Sequence, residues 1–265
     1  MKKYLALIRT GIMDKLNFRV SLIVTFAGNI IYLIIIYFLW KAIYLSSGKE
    51  IVNGMAFNDT MIYLVLATAL FNMMEIFLVW YMGNQVRSGK IVLDLIKPIK
   101  FGLYMFFGQL GEVVVNFAII FLPTVVIVYI VTGGGIPIGK NILLFFFAMI
   151  LAFIINYCIN MLVAALCLFT ESSWGINIMK EVIVSVLSGA SIPVAFFPDN
   201  IKKIVELLPF QAVYNTPLTM LINNNLSIDG YVKMFGIQIL WLIVLLCGAV
   251  WFWKFSLRHV TINGG

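Results

Sequence analysis

Six long stretches of apolar residues dominate the hydrophobic pattern, and short segments that carry most of the charges separate them. A helix needs about 20 apolar residues to cross the hydrocarbon core of a bilayer. The pattern therefore predicts an all-α integral membrane protein with a single transmembrane domain. Its six transmembrane helices are expected at about residues 20–40, 61–82, 108–131, 143–169, 178–197 and 235–255.

The composition supports this prediction and excludes several kinds of site. Hydrophobic residues make up 63% of the 265 residues and charged residues only 11%, whereas a soluble domain carries about 25% charged residues. The single histidine is in the C-terminal tail, and the three cysteines lie in apolar stretches without ligand spacing. This leaves no material for a His/Cys metal centre, and we expect no cofactor on this chain.

The basic residues are distributed unevenly between the two sides of the predicted helices. Twelve lysines and arginines fall on the side of the N-terminus, and six fall on the other side together with most of the loop acids. Cytoplasmic loops of membrane proteins are enriched in Lys and Arg. We therefore expect a multi-pass protein of the cell membrane with both termini in the cytoplasm. Because the charges flank membrane helices, the net charge of +7 does not indicate nucleic acid.

The residues before the first apolar stretch have a helical pattern of their own. Leu5, Ile8, Ile12 and Leu16 recur at helical spacing among basic residues. Such a pattern predicts an amphipathic helix over residues 1–19 that lies along the inner leaflet, where its cations meet anionic lipid. The alternative is a cytoplasmic extension of the first transmembrane helix.

Two connecting segments are more apolar than ordinary loops. The segment 83–100 on the cytoplasmic side mixes charged residues with Ile, Val and Leu, which favours docking of a partner. The segment 198–229 on the outer side is too apolar for a solvated loop, and Pro209 and Pro217 interrupt it. We expect re-entrant or surface helices there, between the fifth and sixth transmembrane helices.

A few polar and charged residues fall inside the predicted membrane helices, and such residues are functional candidates by default. They are Asn72, Glu75, Glu112, Lys180 and Glu181. All lie near the expected cytoplasmic boundary, where pairing between helices lowers the free-energy cost of placing a polar or charged group in the membrane. Two interpretations remain open, namely structural pairing and contact with a transported molecule. Asn72 and Glu75 are the strongest candidates for a translocation path.

Two motifs make the chain resemble the permeases of ABC type-2 exporters, in particular a less-characterised bacterial branch. The first is RSGKIVLDLIKPIKF at Arg87–Phe101, after the second predicted helix. The second is LSGASIPVAFFPDNIKKIVELLPF at Leu187–Phe210, which is similar to a serine-glycine and proline signature of that family. In this sequence the signature residues are Ser188, Gly189, Pro193, Pro198 and Pro209.

The resemblance implies a transport subunit without catalysis of its own, in an ATP-driven exporter of amphipathic molecules such as drugs, peptides or lipids. ATP and magnesium would bind to a separate ABC ATPase, and a second permease, identical or paralogous, would complete a dimer in the lipid membrane. The signature residues would shape the fifth helix and the exit. The residues expected to couple to the ATPase are Arg87, Lys90, Leu93, Asp94, Leu95 and Lys97.

Other functions are compatible with the same hydrophobic pattern. An ATP-independent carrier or channel is one alternative, although the predicted helices hold no ionisable residue near their midpoints. A membrane-embedded enzyme that acts on lipid is another, although the sequence shows no acid/base dyad, no Ser/His arrangement and no dense Asp cluster. A purely structural or assembly subunit also remains open.

Overall fold

The structure is a computed structural model that describes residues 2–133, 141–170, 173–223 and 226–258. Most of these residues are helical. A hairpin of two short antiparallel strands, β1 (Ile51–Val52) and β2 (Met55–Ala56), follows the second helix. The α-helices are α1 (Lys2–Asn17), α2 (Arg19–Ser47), α3 (Phe57–Met73), α4 (Leu78–Arg87), α5 (Ile91–Leu95), α6 (Phe101–Asn116), α7 (Leu122–Val131), α8 (Asn141–Leu166), α9 (Ser173–Leu187), α10 (Asp199–Val205), α11 (Asn215–Ile222) and α12 (Ile228–Leu257).

Five segments within the described ranges are long and apolar enough to cross a membrane, which makes the chain a multi-pass, all-α membrane protein. They correspond to the first, second, third, fourth and sixth predicted helices, and most extend beyond the predicted bounds. They are Ile23–Ser47, Phe57–Arg87, Phe101–Val131, Ile142–Leu166 and Ile228–Leu257.

The fifth predicted helix, 178–197, is wrong in its second half. Helix α9 ends at Leu187 and has 15 residues, so it is about 22 Å long, shorter than the roughly 30 Å of a hydrocarbon core. Gly189 follows with φ of 84°, which ends the helix, and two prolines lie further on. Residues 188–197 then hold only a 3-10 turn at Val194–Phe196. A count of six membrane-spanning helices therefore remains a prediction.

Two of the long segments are irregular in ways that the sequence pattern did not predict. The second segment is broken between α3 and α4, where residues 74–77 leave the helix. The third contains a turn of π-helix at Phe117–Phe121, between α6 and α7. Such π-helical turns are frequent at functional sites, and this one lies against α3.

The N-terminal residues form a helix of their own, as predicted. Helix α1 ends at Asn17, and Phe18 separates it from α2 with non-helical dihedrals (φ −87°, ψ 54°). The alternative of a continuous extension of the first membrane helix is therefore wrong. Three apolar side chains of α1, those of Leu5, Met13 and Leu16, remain exposed.

Helix α1 packs against α6 through a contact between glycines. The Tyr4 and Phe107 rings lie 4.6 Å apart at one end of this contact. A Cβ atom added to Gly11 would overlap the carbonyl oxygen of Gly108, and one added to Gly111 would overlap the carbonyl oxygen of Ile8. The two backbones therefore approach as closely as glycine permits, an arrangement common between membrane helices.

The five segments differ greatly in how far this chain buries them. The second is the most enclosed, with 67% of its most apolar window buried, and it packs with α8 and α11. The first and last have only 11% of theirs buried. Most of the surface of α2 and α12 is therefore left for contact with lipid or with another subunit.

We predict that Gly11→Ala displaces α1 from α6 and lowers the free energy of unfolding by about 1–3 kcal/mol, because the new methyl group has no room. Thermal unfolding of the purified chain and crosslinking between Cys substituted for Tyr4 and Phe107 would measure the effect. Gly108→Ala is the matched control, because a Cβ at that position would meet no atom within 4 Å. Equal stability and crosslinking of the two variants would contradict this close contact.

Candidate functional site

The break in the second membrane segment is held open by two asparagine side chains from neighbouring helices. The Nδ2 of Asn116, at the end of α6, donates to the carbonyl oxygens of Asn72 and Met73, each at 3.4 Å. The Nδ2 of Asn156, on α8, donates to the carbonyl oxygen of Met74 at 2.8 Å. Non-helical backbone at membrane depth requires such partners, because lipid offers none.

Further polar side chains from α8 and α9 extend from this break. Asn160 donates to the carbonyl oxygen of Asn156 at 2.9 Å and accepts a hydrogen bond of 2.9 Å from the Nζ of Lys180. Lys180 also lies 3.9 Å from the Glu181 carboxylate, which in turn accepts a hydrogen bond of 2.6 Å from Asn177. The structure thus joins residues of α8 and α9 into one polar network.

Glu75 lies in the break itself and faces a small cavity of about 30 Å³. Among the residues that the structure describes, none forms a hydrogen bond or ion pair with its carboxylate. Two aromatic rings, those of Phe71 and Tyr214, also face this cavity, with centroids 5.5 Å apart. The other lining residues are Met74, Ile76, Asn156, Asn160, Lys180, Glu181 and Val184.

A larger cavity of about 300 Å³ shares the side chain of Phe71 with the first. Asn72 lines this larger cavity, and its Nδ2 donates to the Oδ1 of Asn29 at 2.9 Å and to the carbonyl oxygen of Thr68 at 2.8 Å. The two predicted path residues therefore face different cavities, and Phe71 lines both of them. The remaining lining residues are Tyr32, Ser185, Ala190 and Ser191.

Sequence reasoning missed the asparagines at 116, 156 and 160 and the tyrosine at 214. The spacing of Asn156 and Asn160 was the available signal, because residues four apart share one face of a helix. Amide side chains within an apolar run are rare enough to mark a polar contact between helices. Nothing in the pattern placed Tyr214 beside them, because it reaches the cavity only through the fold of the 198–229 segment.

The Ser188–Gly189 pair ends α9 and attaches it to α11. The backbone N–H of Gly189 donates to the carbonyl oxygen of Val186 at 3.3 Å, and the carbonyl oxygen of Ser188 accepts from the backbone N–H of Asn215 at 3.1 Å. The hydroxyl of Tyr63 then donates to the Oδ1 of Asn215 at 3.2 Å. These residues of the predicted exit motif thus have a clear structural role.

The three prolines of the same motif each begin a turn. The carbonyl oxygens of Pro193, Pro198 and Pro209 accept from backbone N–H groups three or four residues later, at 2.8–3.2 Å. The last of these turns leads into Gln211–Tyr214, which pack beside α12. There the buried Gln238 of α12 donates to the carbonyl oxygen of Ala212 at 2.9 Å. The 198–229 segment is therefore folded against the helices, and only residues 224 and 225 of it lie outside the described ranges.

The 83–100 loop contains the short helix α5, which ends at Leu95, before Pro98. Its apolar residues divide between two faces. Ile91 is buried, whereas Leu93 and Ile96 are 60% and 71% exposed. Exposed apolar residues on a short ordered helix are typical of a surface that docks a partner.

The carboxylate of Asp94 points inward and anchors α5. It accepts a hydrogen bond of 2.5 Å from the Tyr81 hydroxyl of α4 and one of 2.7 Å from the Lys97 ammonium. Lys97 also lies over the Tyr104 ring, 4.0 Å from its centroid. Although partial burial acts in the opposite direction, the hydrogen bond to Asp94 and the proximity of Tyr104 raise the pKa of Lys97, which keeps it charged.

This arrangement corrects one part of the expected ATPase contact. Asp94 is buried and its carboxylate is hydrogen-bonded to Tyr81 and Lys97, so this carboxylate does not face the surface that an ATPase would contact. The other coupling residues keep at least part of their side chains accessible: Arg87, Lys90, Leu93 and Leu95 are exposed, and Lys97 is half-buried.

Comparison with known families shows a match over almost the whole chain. The description of the matching family is ABC-2 family transporter protein, and the match covers residues 30–264. The chain belongs to this family. No protein among the curated ones matches it.

Membership makes the chain a permease, the membrane component of an ABC transporter, and implies an ABC ATPase subunit as its partner. The helix break, both cavities and the 83–100 loop of the permease fall within the matched residues, apart from Asn29 at the edge of the larger cavity. Helix α1 precedes the match.

We predict that Asn156→Leu lowers the free energy of unfolding of the permease by about 1–2 kcal/mol, because the Met74 carbonyl group at the break loses its donor. Thermal unfolding in detergent would measure this loss. Asn58→Leu replaces an exposed asparagine and is the control. If both variants unfold at the same temperature as the parent chain, the asparagine does not support the break.

Gly189→Ala is expected to destabilise the permease by about 1–2 kcal/mol from the left-handed backbone alone. Crowding adds to this, because the new Cβ would lie 2.7 Å from the Tyr63 hydroxyl. Gly48→Ala provides the comparison, since Gly48 has φ of 63° but open space around it. A larger loss at position 189 than at 48 in thermal unfolding is expected, and equal losses would rule out crowding.

Proposed function

We propose that this permease is the transmembrane subunit of an ATP-driven exporter. ATP hydrolysis on a separate ABC ATPase, where ATP and magnesium bind, moves an amphipathic molecule outward across the cell membrane. The observation that carries this proposal is the 83–100 loop. It presents exposed apolar residues on a short helix that is anchored to a broken membrane segment.

The anchoring gives a route from the ATPase to the interior of the permease. A partner that binds Leu93 and Ile96 moves α5, and the Tyr81–Asp94 hydrogen bond passes this movement to α4. Helix α4 begins at Leu78, directly after the break that contains Glu75. Displacement of the loop therefore acts on the residues that face the cavities, and not only on the membrane surface.

The distribution of charge and of exposed apolar surface completes the proposal. The excess of Lys and Arg places the 83–100 loop and both termini in the cytoplasm. The long exposed faces of α2 and α12 would serve for lipid contact and for a second permease, identical or paralogous, in a dimer. No nucleic acid is involved. The larger cavity is lined by aromatic and small polar residues, and the smaller one by charged, polar and apolar residues, which together suit an amphipathic molecule.

One observation favours a second candidate, an ion-coupled carrier that needs no ATPase. Glu75, Lys180 and Glu181 converge on one cavity at a break in a helix, and coupling ions of carriers bind at such breaks. Transport after depletion of ATP, with the ion gradient kept, discriminates between the two. The exporter stops under these conditions, and a carrier continues.

We predict that Leu93→Asp abolishes ATPase binding and export while the chain still inserts into the membrane, because a buried carboxylate would replace an apolar contact. The measurement is affinity purification of the tagged permease, with scoring of the co-purified ATPase and of ATP hydrolysis. Leu207→Asp is the matched control, since Leu207 is 64% exposed in the outer segment. Co-purification of an ATPase in equal amount with Leu93→Asp would remove the loop from the proposal.

We predict a different pattern for Tyr81→Phe, which removes only the hydroxyl that holds Asp94. The ATPase should still bind because Leu93 and Ile96 are unchanged, but ATP hydrolysis should drive less export because α5 is no longer tied to α4. Transport per ATP hydrolysed, measured in reconstituted vesicles, tests this directly. An unchanged ratio would show that the loop does not act through Tyr81.

A further inference from the structure

We infer that the small cavity at the helix break binds a primary ammonium group on the cargo. This inference rests on the proposed function, since it names a chemical group of the exported molecule. Three features of the cavity carry it, namely a carboxylate with which no described residue pairs, a pair of aromatic rings and a volume of about 30 Å³.

The carboxylate of Glu75 supplies the charge. A carboxylate within a membrane segment requires a proton, water or a cation, because an unpaired charge is costly there. Within the described residues, neither a hydrogen bond nor an ion pair engages Glu75. Lys15 of α1 attracts it electrostatically without forming an ion pair. The carboxylate is therefore available to a cation that enters the cavity.

The aromatic rings of Phe71 and Tyr214 favour an organic cation. Both face the same cavity as Glu75, and cations bind favourably over aromatic faces. Phe71 also lines the larger cavity of about 300 Å³. A molecule whose charged end lies beside Glu75 can therefore extend past Phe71 into that space, where Tyr32 and the small residues of α9 and its following turn would surround its body.

Within the described residues, the other charged groups at the cavity pair with each other and not with Glu75. Lys180 is the one cation among the described lining residues, and its ammonium group is already engaged by Asn160 and Glu181. Glu181 accepts a hydrogen bond from Asn177. An ammonium group on the cargo would therefore supply the cation that this network does not offer to Glu75.

The volume limits what that cation can be. On the same measure of volume, a cavity of about 10–15 Å³ holds one water molecule, so about 30 Å³ leaves room for one or two groups of that size. A primary ammonium group is close to this size, and it can also donate hydrogen bonds to the carboxylate. A trimethylammonium group is several times larger and has no N–H to donate. The cavity therefore selects the primary ammonium among organic cations.

The test uses the full chain in nanodiscs of zwitterionic lipid, without any ATPase. Octylammonium is titrated calorimetrically, with subtraction of the heat from empty nanodiscs, and octan-1-ol and octyltrimethylammonium serve as comparison ligands. We expect Glu75→Gln to weaken saturable octylammonium binding by about tenfold or more, because a charge-assisted hydrogen bond is lost. Octyltrimethylammonium should bind the parent chain at least about tenfold more weakly.

Two further variants make the result decisive. Glu206→Gln is the control, because it removes another half-buried carboxylate that neither lines the cavity nor acts electrostatically on Glu75. It should leave the affinity unchanged within about twofold. Glu75→Asp keeps the charge and should retain most of the binding, and thermal unfolding of each variant distinguishes a folding defect from loss of the charge.

Three results would overturn the inference. They are the absence of saturable octylammonium binding to the parent chain, equal binding by the parent and Glu75→Gln, and equal binding of octylammonium and octyltrimethylammonium. Because no ATPase takes part in this measurement, none of these results bears on the exporter proposal, which the co-purification experiment tests separately. A negative co-purification result would likewise not change the measured binding of octylammonium.

Discussion

Satisfaction of backbone groups inside the membrane is the constraint on which the rest of this structure depends. The second membrane segment leaves its helical path at residues 74–77. Three of its carbonyl groups accept hydrogen bonds from Asn116 and Asn156 instead. Without such donors the break would be costly in lipid. The two asparagines therefore explain both the enclosed position of this segment and the access of Glu75 to a cavity.

Much of the fold follows from hydropathy alone, because a membrane imposes a minimum length on each spanning helix. The five long segments and the separate helix α1 were predictable in this way. The failure at the fifth predicted helix has a physical reason. Residues 188–197 are apolar enough to belong to a membrane-spanning helix, but Gly189 adopts a left-handed conformation and ends the helix. Average hydropathy does not contain this information.

The site was predictable only in part, since its members come from distant parts of the chain. Glu75 and Asn72 stood out as polar residues in apolar segments, and the structure places them in different cavities. Asp94 was predicted to contact the ATPase, but its carboxylate points inward because it binds Tyr81, thirteen residues away. The partner of each polar residue is decided by helix packing, which a single sequence does not specify.

The slight burial of the first and last membrane segments affects how this protein can be studied. Only 11% of the most apolar window of each is enclosed by the chain itself. Most substitutions on these helices would therefore leave the melting temperature of the isolated subunit unaltered. Their consequences would emerge only where neighbouring molecules cover the same surface. The melting temperature of the subunit purified in detergent would therefore respond to substitutions in the enclosed central segments and very little to substitutions on the first and last ones.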